Sequence, residues 1–300
     1  MKIGIFVLAA ICAALPCAAQ SGNLSDWGTL IDKKQCEAAK NLCMKFVNSS
    51  NIAEQAEAQK CLANAALCGH DTVQLEGDDA GGGNMHGSYT PEAIDEALIH
   101  LNLGIKIAPQ DLSIHKGRLY LLEVSGRYYE MIKALDESCT LYKGTDAPDT
   151  WLGYAPEIAD LGHFEVGLEL MKVLDRHYPN TPDIVANIGG FLLMMKKPAE
   201  AIPYLQQSVQ LSPQDSLNAW DLGRAYDYTD QIQLAEKWYK KALSLPQDRD
   251  MESDVPCLYA EFVETKLNDR TRACKLEKQN CPAEKQTACA ALTPTPPKAP

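Results

Sequence analysis

The feature that most limits how this chain can fold is a period of 34. Gly189 and Gly223 stand 34 residues apart, and so do Pro179 and Pro213, Ala201 and Ala235, Leu205 and Tyr239, and Ser208 and Ala242. Further back, Gly167 and Met171 fall in line with Ala201 and Leu205, and after a two-residue insertion near Gly144 and Thr145 so do Met131 and Leu135. One period earlier come Ala97, Leu101 and Gly104. The unit thus recurs four times over 112–249, preceded by a half unit over 91–111. A fixed period of this size belongs to arrays in which each unit buries its apolar face only against its neighbours.

Each unit carries two amphipathic helical patterns of about a dozen residues, spaced as helices require. In the last unit, Leu222, Gly223 and Tyr226 mark the first helix, and Ala235, Tyr239 and Ala242 the second. Small residues allow close crossings and large ones fill the gaps. In period and in this small-large-small order the sequence resembles the tetratricopeptide repeat family. Pro156 within a first helix, Lys196 in place of a turn glycine, and an early Pro246 depart from its pattern.

The resemblance implies an all-α, right-handed solenoid of helix pairs over 91–249. In that family the first helices line a concave face that holds peptides or helices of other proteins. Carried over by position, that face consists of Lys116 and Tyr120, Leu152 and Pro156, Leu193 and Met194, and Trp220, Arg224 and Tyr228. The family's carboxylate clamp would need a Lys-Asn-Asn-Lys-Arg set, of which only Asn187 is present, so capture of a chaperone C-terminus is not expected.

Outside the repeats, spacing of cysteines is informative. Cys36 and Cys43 are seven residues apart, as are Cys61 and Cys68, which puts each pair on one helix face. The numbers of Cys36 and Cys68, and of Cys43 and Cys61, add to the same total, 104. One antiparallel helical hairpin therefore closes both as disulfides, whereas the crossed pairing fits no single register. A turn at Asn48–Asn51 would favour a smaller total, so one helix must run about a turn past symmetry. Zinc sites usually space ligands two to four residues apart, which disfavours a metal. Of the later cysteines, Cys139 is the expected free thiol, while Cys257, Cys274, Cys281 and Cys289 surround a helical pattern from Val255 to Leu267 and could pin it.

Met1 to Ala19 has a basic start, an apolar stretch from Ile3 to Leu15 and small residues at 17–19, the pattern of a secretory signal with a mature start at Gln20. Paired cysteines suit the oxidising compartment this implies, periplasmic or extracellular. The expected organisation is a signal at 1–19, a Cys-rich hairpin at 20–76, a Gly-rich linker at 77–90, the solenoid at 91–249, a capping helix within 250–285 and a proline-rich disordered tail at 286–300.

Net charge is −12, and no basic stretch offers a footing for nucleic acid or anionic lipid. Beyond the signal no apolar run spans a bilayer, so stable membrane insertion is not expected. The sequence holds no metalloprotease helix motif, nucleophile elbow, P-loop or dinucleotide glycine pattern. Catalytic residues, metals and cofactors are accordingly not expected. The reading is an exported adaptor for a protein or peptide partner; the alternative is a secreted hydrolase resembling the Sel1-like proteins, although those place a disulfide in every repeat.

Overall fold

The computed structural model describes residues 23–69, 72–73, 87–144, 147–246, 255–283 and 286–292. The segment read as a secretory signal, the glycine run at 81–83 and the tail from 293 lie outside these residues. Two compact units divide the chain between Trp151 and Leu152.

The first unit begins with a 3-10 turn at Leu24–Asp26, followed by α1 (Trp27–Asp32), α2 (Cys36–Met44) and α3 (Ile52–Leu67). Asn51 starts α3 by accepting the Ala53 N–H at 3.0 Å. Disulfides join Cys36 to Cys68 and Cys43 to Cys61, with Cα atoms 5.5 and 6.1 Å apart. The inner bridge sits in a small core with Leu24 and Leu62, flanked by Trp27, Phe46 and Val47. Short strands β1 (Thr72–Val73) and β2 (Gly87–Ser88) pair antiparallel. Then follow α4 (Pro91–Ile107), α5 (Leu112–Val124), α6 (Tyr128–Leu141) and α7 (Ala147–Leu152). Thr90 caps α4 with Pro91 in the first turn, and Asp111 caps α5.

The half unit at 91–111 proves to be complete. With 16 residues against nine in α2, α3 outruns its hairpin partner and packs along α4. Gln59 on α3 meets the His100 ring at 2.8 Å, and a Cβ added at Gly104 would lie 3.5 Å from the Gln59 Cβ and 3.0 Å from Ile114. Thus α3 supplies the first helix that the half unit at 91–111 was expected to lack. The hairpin shares one compact unit with the first repeats, α4 to α6, instead of standing as a separate domain.

The second unit contains α8 (Tyr154–Asp160), α9 (Phe164–His177), α10 (Pro182–Met194), α11 (Pro198–Leu211), α12 (Ser216–Tyr228), α13 (Ile232–Ser244), α14 (Val255–Thr265), α15 (Arg270–Asn280) and α16 (Thr287–Leu292). Among the described residues of 91–249 no strand occurs. The helix interruption at Gly153, between α7 and α8, has its cause in Pro156, whose ring crowds the carbonyl four residues back, at Leu152.

The 34-residue phase reappears as geometry. A Cβ at Gly189 would come within 2.5 Å of Leu205, and one at Gly223 within 2.6 Å of Tyr239, so each glycine admits the large residue of the second helix. Between first and second helices the chain turns through left-handed backbone at Gly126, Gly162, Lys196 and Asp230, with φ of 67°, 88°, 58° and 55°. Lys196 therefore adopts the glycine conformation with a side chain in place.

Two expectations at the C-terminal end are corrected. In place of a single capping helix, α14 and α15 form another helix pair, with Asn268 at φ 57° where Asp230 stands one unit earlier. Ala273 and Glu277 lie 38 residues after Ala235 and Tyr239, the extra four arising in the connection. The region 286–300 is not wholly a disordered tail, because 287–292 form α16. Buried Glu277 accepts the backbone N–H groups of Ala288 and Cys289, each at 3.0 Å, which satisfies unpaired donors of the first turn of α16. Disulfides Cys257–Cys281 and Cys274–Cys289 fasten these elements, and Cys139 is buried and takes part in none of the four disulfides among the described residues.

A candidate partner-binding cleft

Residues four apart on a helix share a face, so Trp220, Arg224 and Tyr228 form one stripe along α12. Leu258, Glu261, Phe262 and Thr265 form a second along α14. The two stripes line a cleft of about 530 Å³ together with Tyr239 of α13. Its floor is aromatic. Trp220 and Tyr239 lie with ring centroids 4.4 Å apart, and Phe262 meets Tyr239 edge-on at 5.0 Å. At the rim Tyr228 and Leu258 are 56% and 47% exposed.

Charge is arranged around this floor. Arg224 donates to Asp221 at 3.1 Å and lies 5.9 Å from the Tyr228 ring centre. Burial pushes the Asp221 carboxyl above its ordinary range, against the pull of Arg224. The Tyr239 hydroxyl donates to Asp227 Oδ2 at 3.4 Å, and burial together with the Asp227 charge holds that phenol well above its usual value. Lys266 reaches Asp230 at 3.2 Å and Asp227 Oδ1 at 3.6 Å.

Of the residues expected on the concave face, Trp220, Arg224 and Tyr228 are brought together here. Trp220 needs correction: at 5% exposure it is the floor of the cleft and part of the core, because Tyr239 of α13 packs against its ring. Leu193 is also corrected, being 4% exposed, because one residue turns a helical side chain by about 100° away from Met194. Met194 is 59% exposed on α10 but does not line the cleft. Leu152 and Pro156 are half-buried on α7 and α8, and Lys116 and Tyr120 are exposed on α5 of the first unit. The α14 stripe was missed, although the offset between Asp230 and Asn268 and between Ala235 and Ala273 marks α14 as another first helix.

A second cleft, of about 630 Å³, lies between α4, α5 and α6 of the first unit. Of its three cations, Arg118 pairs with Glu137 at 2.7 Å, Arg127 pairs with Asp95 at 2.5 Å and Glu130 at 2.7 Å, and Lys133 lies 4.4 Å over the Tyr129 ring. Among the described residues no group of three His, Cys, Asp or Glu is placed to hold a metal, and no helix is long and apolar enough to cross a membrane.

A tetratricopeptide repeat family model matches residues 219–249, which span most of α12 and all of α13. No curated protein matches the sequence. Among solved structures, the chain is similar to MamA (residues 41 to the end) from Desulfovibrio magneticus RS-1, with 18% identity, a TM-score of 0.44 and coverage of 61% of this chain and 97% of that one. PilF of Pseudomonas aeruginosa gives 14% identity, a TM-score of 0.43 and coverage of 67% and 90%. The human IFIT1 dimer with m7Gppp-AAAA gives 16% identity, a TM-score of 0.45 and coverage of 90% and 61%.

Proposed function

We propose that this tetratricopeptide repeat protein is an exported, non-catalytic adaptor that holds a segment of another protein in the cleft between α12 and α14. The observation that carries the reading is the pairing of exposed Tyr228 and Leu258 above a buried aromatic floor, the arrangement in which an apolar anchor from a partner loses most water. Among the described residues no histidine lines the cleft, which favours an adaptor over the hydrolase alternative. The four disulfides and the signal-like segment at 1–19 support an oxidising, extracytoplasmic location.

The test is binding of the full mature chain to an array of short synthetic peptides, repeated with Leu258→Ser and Tyr228→Ala. A distinct set of peptides should be retained, and each substitution should weaken retention about tenfold, equal to about 1.4 kcal/mol, while melting temperature stays nearly constant. Retention indifferent to both substitutions would place binding elsewhere and overturn the proposal.

A further inference from the structure

We infer that the occupant of this cleft is a cationic segment, an apolar side chain seated over Trp220 with lysine or arginine beside it; the inference rests on the reading of the cleft as the docking surface. Arg224 is committed to Asp221, so its charge is answered within α12. Lys266 is the other cation on the walls, and two carboxylates, Asp227 and Asp230, share it. Glu261, exposed on the α14 stripe, has no ion pair among the described residues. The cleft and its rim therefore carry more negative than positive charge.

Asp227 sharpens the point. Its Oδ1 is buried and accepts no hydrogen bond, and the Lys266 ammonium stands 3.6 Å away, beyond good hydrogen-bond distance. One ammonium shared between Asp227 and Asp230 leaves part of their negative charge unanswered. At longer range a chain of net charge −12 speeds the approach of basic segments and slows that of acidic ones.

The experiment uses two fluorescent peptides with the same leucine-tryptophan-leucine centre, one flanked by lysines and the other by glutamates, titrated into the full mature chain. The lysine peptide should bind at least about tenfold tighter, and its advantage should shrink as salt rises. Glu261→Lys, at an exposed position, should remove most of that advantage, whereas Glu92→Lys, the same charge change on α4, should leave it largely intact. Equal binding of the two peptides, or equal effects of Glu261→Lys and Glu92→Lys, would overturn the cationic assignment. If in either case Leu258→Ser still weakens binding, the docking cleft itself survives. Failure of the lysine peptide to bind overturns the cationic assignment, and binding that ignores Leu258→Ser overturns both readings.

Discussion

The helix pairs α12–α13 and α14–α15 are built on the same plan and completed in opposite ways. Both turn through a left-handed residue, Asp230 or Asn268, and both seat a fully buried alanine, Ala235 or Ala273, at the crossing. They part at the next position. In α12–α13 it is Tyr239, lying against Gly223 and covered by Trp220, Tyr259 and Phe262. In α14–α15 it is Glu277, 3% exposed, whose carboxylate takes the N–H groups at the start of α16. An interior pair is covered by the helix that follows and can bury an aromatic ring. Among the described residues the last pair is followed by a short helix, which a carboxylate and the Cys274–Cys289 disulfide hold in place, while Cys257–Cys281 ties α14 to the end of α15.

The largest test of this contrast is Trp220→Ala, which should lower stability by about 3–5 kcal/mol as a core ring is lost, whereas Leu258→Ala on the facing stripe should stay within about 0.5 kcal/mol. Chemical denaturation separates them, and equal losses would erase the distinction between floor and rim. Glu277→Leu comes next, restoring the interior residue type to the terminal pair. It should destabilise by about 1–3 kcal/mol through the lost acceptor and speed amide exchange at Ala288 and Cys289; an equally stable variant would mean that α16 needs no polar cap.

Gly223→Ala should cost about 1–3 kcal/mol because the added methyl meets the Tyr239 ring, while Glu261→Ala at the matching position of α14 should be nearly neutral. At the left-handed turns, Lys196→Gly should raise the melting temperature by relieving about 1 kcal/mol of strain, and Asn268→Gly should gain less, since asparagine tolerates this backbone. The smallest effect at neutral pH is that of the Tyr239 hydroxyl. Its pKa is higher folded than the unfolded value near 10.0, so its stabilising contribution is complete below pH 10 and is lost as pH rises above that value. Tyr239→Phe should flatten the alkaline limb of the stability profile.

Helix pairs, their crossing residues and the cysteine register were legible because each depends on spacing along one or two helices. A turn of 3.6 residues puts Cys36 and Cys43 on one face, and a 34-residue phase brings Gly189 to Leu205 and Gly223 to Tyr239. The site was legible only in part. Arg224 and Tyr228 could be placed by phase, but α14 was read as a cap because the four-residue offset of Asn268 and Ala273 hides its kinship with α12. Glu277 carried no signal at all, since its partners are backbone groups of a six-residue helix.

What the sequence determined by itself is therefore periodic and local: which residues are helical, where they turn, and which pairs of helices cross at small side chains. Tertiary structure alone decided which face of each helix is covered and by what. It packed Trp220 against Tyr239, turned Leu193 inward beside an exposed Met194, and supplied α3 as the missing partner of α4. These outcomes depend on a helix elsewhere in the chain removing water from a given face, and the pattern of a single helix does not contain the identity of its neighbour.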